Sequence, residues 1–234
     1  MEHAESQRTE RFLTAFNRIE RHLKRSTGLP DHEPMTTAMR RFFRERPEWR
    51  RLESPLHAFR ELRNLIVHER YDPYTYLAVP SETVTEQIEQ TARALEHPKR
   101  ADQTYGRPVL VLDGEDPLER FLDEAVRQAD IDQVPVYQDG SFAGLLTGWD
   151  ATRWWAQANT SADAASVPVK RLLPSEPAPD RVVFIARDAS DITVRSAFEQ
   201  LPGLVCVLIT EAGRRDAKPV GIATAYDLVS VSVT

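Results

Sequence analysis

Apolar positions along the first hundred residues return with a helical period. Phe12, Phe16, Ile19 and Leu23 stand at i, i+4, i+7 and i+11, one face of a helix that Gly28 and Pro30 should end. A second helix is predicted over about 35–46, stopped by Pro47. Ser54-Pro55, a cap residue followed by proline at the first helical position, opens a third that turns Leu56, Phe59, Leu62 and Ile66 inward. Tyr71 to Pro80 reads as an extended break. Ser81 and Glu82 then start a fourth helix with Val84, Ile88, Thr91/Ala92 and Leu95 on its buried stripe, ending at His97-Pro98. The pattern predicts a four-helix antiparallel unit.

Beyond residue 107 the period changes. The pattern predicts a strand over 109–112, a helix over 117–129, a strand over 133–138, a turn at Asp139-Gly140, a strand over 142–146 and a helix over 150–158. The small polar stretch 159–166 reads as a linker. The order then repeats, with a strand over 182–185, a helix over 190–200, a strand over 204–210, a loop at 211–218, a strand over 219–223 and a last helix from Asp227. The expected fold class is α+β in two domains. A helical bundle occupies 1–100, and a pair of β-α-β-β-α repeats occupies 101–234, one at about 107–158 and the other at about 167–234. Polar residues 99–107 form the expected boundary between them.

Composition narrows the setting. Cys206 is the one cysteine, which excludes an internal disulfide framework and a Cys-based zinc cluster, and the six histidines lack metal-ligand spacing. No metal and no required cofactor is expected. No apolar run approaches the roughly 18 residues of a membrane helix, and Met1 to Ser6 is neither a signal nor a transit peptide. A cytoplasmic protein without membrane contact is expected. The net charge of −6 is uneven, +2 over residues 1–100 and −8 over 101–234. Within the first part, residues 40–51 hold six arginines and two glutamates interleaved with Phe42, Phe43 and Trp49. That run is either a phosphate-facing patch or the solvated side of an amphipathic helix.

One phrase occurs twice. Residues 144–150 read Gly-Leu-Leu-Thr-Gly-Trp-Asp and residues 221–227 read Gly-Ile-Ala-Thr-Ala-Tyr-Asp, each after an apolar run suited to a buried strand. With Val134-Pro135-Val136 before a glycine-turned hairpin and with the order of elements, the phrases make residues 101–234 resemble the paired CBS-domain module. The resemblance implies adenine nucleotide (AMP, ADP or ATP type) as a regulatory ligand in clefts between the repeats. It places ribose hydroxyls on Thr147 and Asp150 and on Thr224 and Asp227, the base near Val134 and Pro135, and phosphates near a helix N-terminus, Arg153 or Arg214. A carboxylate can accept both ribose O–H groups. The alternative for each pair is an ordinary helix cap that needs no ligand. Cys206 in the place of Pro135, the longer 211–218 loop and the short last helix set the second repeat apart.

The third predicted helix carries Arg63, Asn64 and His68, with Asn64 one turn before His68 on the same face. This Arg-Asn-x-x-x-His arrangement, followed by Tyr76 to Ser81 and a last helix, makes residues 8–98 resemble the HEPN superfamily. The resemblance implies a homodimer and a metal-independent endoribonuclease. His68 would move the proton, Arg63 would stabilise the charged phosphate, and Asn64 would position His68 or donate to phosphate. RNA would be the partner. The alternative is a buried polar network or a dimer contact, with Glu61 and Glu69 as partners. The expected function is an adenine-nucleotide sensor whose repeats control the helical domain. The other reading is a non-catalytic nucleotide-binding or structural dimerisation protein that recruits a partner through its helices.

Overall fold

The structure, a computed structural model, describes residues 2–68, 70–72, 75–76, 78–128, 131–157, 164–174 and 181–231. The chain divides into two compact units, Met1–Lys99 and Arg100–Thr234.

In the first unit, α1 (Glu2–Thr27) buries Phe12, Phe16, Ile19 and Leu23, the face read from the sequence. It stops where Gly28 takes φ +66° and the Leu29 N–H donates to the Lys24 carbonyl at 2.9 Å, a left-handed helix ending that glycine adopts without steric cost. The next helix, α2 (Met35–Glu45), gives way to a 3₁₀ turn (Pro47–Leu52) and then to α3 (Glu53–His68), after which β1 (Arg70–Asp72) pairs antiparallel with β2 (Thr75–Tyr76). The Ser81 hydroxyl caps α4 (Glu82–Glu96) by accepting the Val84 N–H. The α4 stripe is rotated from its expected position. Thr85, not Val84, is fully buried with Ile88, Ala92 and Leu95, because its hydroxyl donates to the Ser81 carbonyl and so enters the core already satisfied.

The bundle is not antiparallel as expected. Arg11 pairs with Glu82 and Glu89, and Arg18 with Glu96, so the partners advance together along α1 and α4 and the two helices run parallel. Helix α3 also follows α1, since Phe12 meets Phe59 and Phe16 lies under Arg63. The physical reason is the length of chain between α3 and α4. Thirteen residues can reach up to about 43 Å, enough to return along a 16-residue helix of about 24 Å.

The arginine-rich run resolves by burial. Phe42, Phe43 and Trp49 face the core, where Phe42 packs edge-on against both neighbours. Arg40, Arg44, Arg50 and Arg51 are exposed. The aromatics are therefore unavailable for stacking on bases.

The second unit holds two three-stranded sheets of the same topology. In one, β3 (Leu112–Asp113) lies parallel to β4 (Gln133–Gln138), which forms a hairpin with β5 (Ser141–Thr147). In the other, β6 (Val182–Ala186), β7 (Cys206–Thr210) and β8 (Pro219–Thr224) repeat the order. The β4–β5 turn uses Asp139 (φ 50°) and Gly140 (φ 78°), the two positive-φ positions of a tight hairpin. Helices α7 (Gly148–Gln157) and α9 (Ala225–Val231) follow the two hairpins. The strand expected over 109–112 shrinks to two residues, since β3 pairs with β4 only at Leu112 and Asp113. After it, α6 (Leu118–Arg120) continues as a π-helix over Phe121–Gln128. Helix α8 (Asp191–Gln200) opens with Ser190 accepting the Thr193 N–H. Residue 158, the expected end of the helix over 150–158, and residues 159–163 of the expected linker lie outside the described residues.

Each sheet is completed by chain that precedes the other. Helix α5 (Ala101–Tyr105), expected as a polar boundary, inserts Ala101 and Tyr105 into the core of the second sheet with Ile185, Val194, Val207 and Ile209. Reciprocally, Val169 and Leu172 enter the core of the first with Leu112, Leu118, Phe121 and Val136. The backbone follows suit. Arg100 bridges to Ser190 and Gly106 to Gly221, while Pro168 bridges to Pro117. A third cluster, Leu145 with Val182, Cys206, Leu208 and Ile222, joins the two sheets. Cys206 is wholly buried there, and burial pushes its thiol up to about 12, so it serves as a small core residue.

The exchange also explains the glycine that opens each repeated phrase. A Cβ on Gly221 would stand 2.6 Å from the Tyr105 carbonyl oxygen, and one on Gly144 would stand 3.1 Å from the Leu173 side chain. Both glycines lie where a lead-in segment crosses the strand.

Candidate functional site

The two phrases fold alike locally. Thr147 and Thr224 stand just ahead of α7 and α9, and Asp150 and Asp227 are the third residues of those helices. In each, the threonine N–H and hydroxyl both donate to Oδ2 of the aspartate. The distances are 3.1 and 2.6 Å for Thr147 to Asp150, and 2.8 and 2.9 Å for Thr224 to Asp227. In the first phrase the Asp150 N–H also donates to the Thr147 hydroxyl at 3.1 Å, which completes a capping box with aspartate in the usual glutamate place. One carboxylate oxygen is thereby used by the fold, and Oδ1 is left to decide whether the site can meet anything else.

At that point the two sites diverge. Asp150 is 1% exposed, its Oδ1 accepts from Arg153 Nη2 at 2.9 Å, and Arg181 Nη1 lies 4.0 Å from Oδ2. A ribose could reach it only after the surrounding structure opened. Asp227 retains 17% of its side-chain surface and lines a cleft of about 540 Å³. Its two oxygens accept from Arg107 at 2.8 and 3.0 Å. Burial pushes the Asp227 carboxyl up, but the Arg107 hydrogen bonds and the Thr224 N–H and hydroxyl outweigh it, leaving the group below the usual range.

The cleft is assembled from three stretches. Arg107 to Leu110 come from the segment before β3, Ile131 to Gln133 from the entry to β4, and Ile222, Thr224, Tyr226 and Asp227 from β8 and α9. Apolar Val109, Leu110, Ile131 and Ile222 supply flat-sided contact, and the polar groups sit among them. That mixture suits a small amphipathic ligand.

The structure thus brings Thr224 and Asp227 to an open cleft and keeps Thr147 and Asp150 in a buried cap. Val134 is fully buried in the core of the first sheet, and Pro135 is buried one residue further along. The cleft is lined instead by the three residues before them. Arg153 is held by Asp150 and Arg214 by Asp216, and neither lines the cleft. Sequence reasoning missed Arg107 and Gln133. Arg107 carried no local signal, because its partner lies 120 residues away.

In the helical unit, Arg63 and Asn64 border a smaller cleft of about 220 Å³ with Arg60, and Arg63 Nη1 approaches Asn64 Oδ1 at 3.5 Å. The His68 side chain lies outside the described residues. Among the described residues, no three His, Cys, Asp or Glu side chains are grouped to hold a metal ion, and no helix is long and apolar enough to cross a membrane.

Residues 105–156 match the CBS domain family, so the C-terminal unit carries a CBS domain. Similar solved structures include a CBS domain-containing protein of unknown function from Kribbella flavida, 19% identical, covering 58% of this chain and 99% of that one with a TM-score of 0.47. A CBS domain of a membrane protein from Sphaerobacter thermophilus is also 19% identical, covering 63% and 96%, with a TM-score of 0.47. The CBS domain pair of protein MJ0100, in complex with 5′-methylthioadenosine and S-adenosyl-L-methionine, is 15% identical, covering 58% and 97%, with a TM-score of 0.44. No curated protein matches the chain in sequence.

Proposed function

We propose that the C-terminal unit is a pair of CBS repeats that senses an adenine nucleotide in the cleft at Thr224 and Asp227. The observation that carries this reading is the position of the Asp227 carboxylate. It is partly open, ionised at neutral pH and set beside apolar walls, with a displaceable guanidinium on its free oxygen. The ribose hydroxyls would donate to Asp227 Oδ1, the base would lie against Leu110 and Ile222, and Arg107, once released, would meet the first phosphate. Acting as a homodimer, the protein would use nucleotide occupancy to control its helical domain. Any such coupling is reciprocal, so whatever the helical domain binds would change nucleotide affinity by the same factor.

The test is a thermal-shift and calorimetric titration with AMP, ADP, ATP, NAD, S-adenosylmethionine and 5′-methylthioadenosine. Ligand at about 100 times its dissociation constant stabilises the native state by about 2.7 kcal/mol. The expected result is a shift with an adenine nucleotide that is lost in Asp227→Ala and kept in Asp150→Ala. No shift with any ligand would reduce both aspartates to helix caps and overturn the proposal.

The Arg63–Asn64 cleft favours a second reading for the helical unit, a metal-independent endoribonuclease acting through Arg63, Asn64 and His68. RNA supplies its own 2′-hydroxyl nucleophile, so proton transfer and charge stabilisation suffice. Single-turnover RNA cleavage in chelator should vanish in Arg63→Ala and His68→Ala while the helical circular dichroism is unchanged. Equal rates in wild type and variants would remove this reading.

A further inference from the structure

The entry to β4 carries a side chain that lines the proposed nucleotide cleft and holds a buried polar atom with no hydrogen-bond partner among the described residues. Side chains alternate along a strand. Val134 and Val136 point into the core of the first sheet, so Gln133 and Pro135 belong to the opposite face. Pro135 pairs there with Leu145, one of the residues joining the two sheets. Gln133, held by its pairing to Thr147, lines the cleft, and its Oε1 is buried without a hydrogen-bond partner among the described residues. Folded proteins rarely leave a buried amide oxygen unpaired, because it has given up water and gained nothing. An unpaired acceptor in a ligand cleft selects a ligand that brings its own donor.

We infer that the Gln133 side-chain carbonyl reads the exocyclic amino group of a 6-aminopurine, a role that rests on the nucleotide reading of this cleft. Asp227 and Thr224 offer acceptors to the ribose hydroxyls, so a nucleoside seated there carries its remaining donor at the far edge of the base. Adenine presents an N–H₂ group at that edge, and hypoxanthine presents a carbonyl. Facing Gln133 Oε1, the first forms a hydrogen bond and the second sets two acceptors against each other. Turned over, the same amide would present its own N–H₂ and select the 6-oxo base. AMP and IMP, which differ at the C6 substituent and in the hydrogen that N1 carries in the 6-oxo base, are therefore the discriminating probes.

The experiment measures AMP and IMP binding to wild type, Gln133→Leu, Gln133→Glu and Asp227→Ala by calorimetry on the full chain. Wild type should bind AMP at least about tenfold more tightly than IMP. Gln133→Leu should weaken AMP by a similar factor and bring the AMP/IMP ratio close to one, with an unchanged melting curve. Gln133→Glu, which keeps an acceptor in place, should retain the preference for AMP. A ratio unchanged in Gln133→Leu, or tighter IMP binding by wild type, would overturn the role of Gln133 while leaving the nucleotide site intact. Failure of wild type to bind AMP or any other adenine nucleotide would overturn the site and this role together.

Discussion

Arg107 and Asp227 form a two-pronged ion pair, at 2.8 and 3.0 Å, across 120 residues of sequence. The pair ties the segment after α5 to the first turn of α9, and it covers the carboxylate oxygen that the Thr224 cap leaves free. In the first phrase the corresponding carboxylate is closed by a cation three residues away, Arg153. The two halves therefore share a cap and differ in what guards it.

Removing Arg107 should uncover the ribose subsite. For Arg107→Ala we predict a stability loss of only about 0.5–1 kcal/mol, since nearly half of the arginine side chain is exposed. Adenosine, which has the diol but no phosphate, should bind about two- to fivefold more tightly once its competitor is gone. Weaker adenosine binding in calorimetry would show that Arg107 contacts the ligand instead of competing with it.

Acid should erase the contribution of Asp227. Its carboxyl is displaced downward in the folded protein, so its stabilising effect is complete above the unfolded-state value of about 4 and is lost as pH falls through the lower folded value. Urea melts of wild type and Asp227→Asn should differ by a constant amount from pH 8 to about 5. The gap should close below about pH 4. A gap that widened on acidification would reverse the assignment.

Asp150 should matter more for folding than for binding. It is buried, and it satisfies the Thr147 N–H and hydroxyl as well as Arg153. Asp150→Ala leaves those donors unpaired and should cost about 2 kcal/mol. Asp227→Ala should cost about 1 kcal/mol, the usual value of a lost cap. Chemical denaturation gives both numbers, and the reverse order would contradict the burial difference.

The exchanged lead-in segments make a further pair of measurements informative. Tyr105 is 3% exposed in the core of the second sheet. Tyr105→Ala should cost about 3 kcal/mol. Gly221→Ala should also destabilise, because its new methyl would press on the Tyr105 carbonyl. The double variant should cost less than the sum of the two, since a backbone released from its Tyr105 ring anchor can move its carbonyl away from the new methyl. Strict additivity in urea denaturation would argue against that contact.

Local chemistry was legible from the sequence. The buried face of α1, Leu56, Phe59 and Ile66 on α3, the Ser81 cap and the Asp139-Gly140 hairpin fell where periodicity and turn chemistry put them. Each of those features is decided by neighbours within a few positions. Leu62, by contrast, is only half-buried, Ser54 lies inside α3, and α7 and α9 start two residues ahead of Asp150 and Asp227. The direction of α4, the rotation of its stripe to Thr85 and the fate of residues 100–106 were not legible. A polar-looking stretch became core because just two of its residues, Ala101 and Tyr105, are buried against a distant sheet.

The sequence by itself determined the repeated Thr/Asp caps, because a capping box is a matter of three-residue spacing before a helix. Only the tertiary structure decided which of the two could meet a ligand. That depends on Arg107, Arg153 and Gln133, and on which carboxylate the packing of two exchanged segments leaves open. Solvent exposure is a property of the assembled surfaces, and no local pattern encodes it.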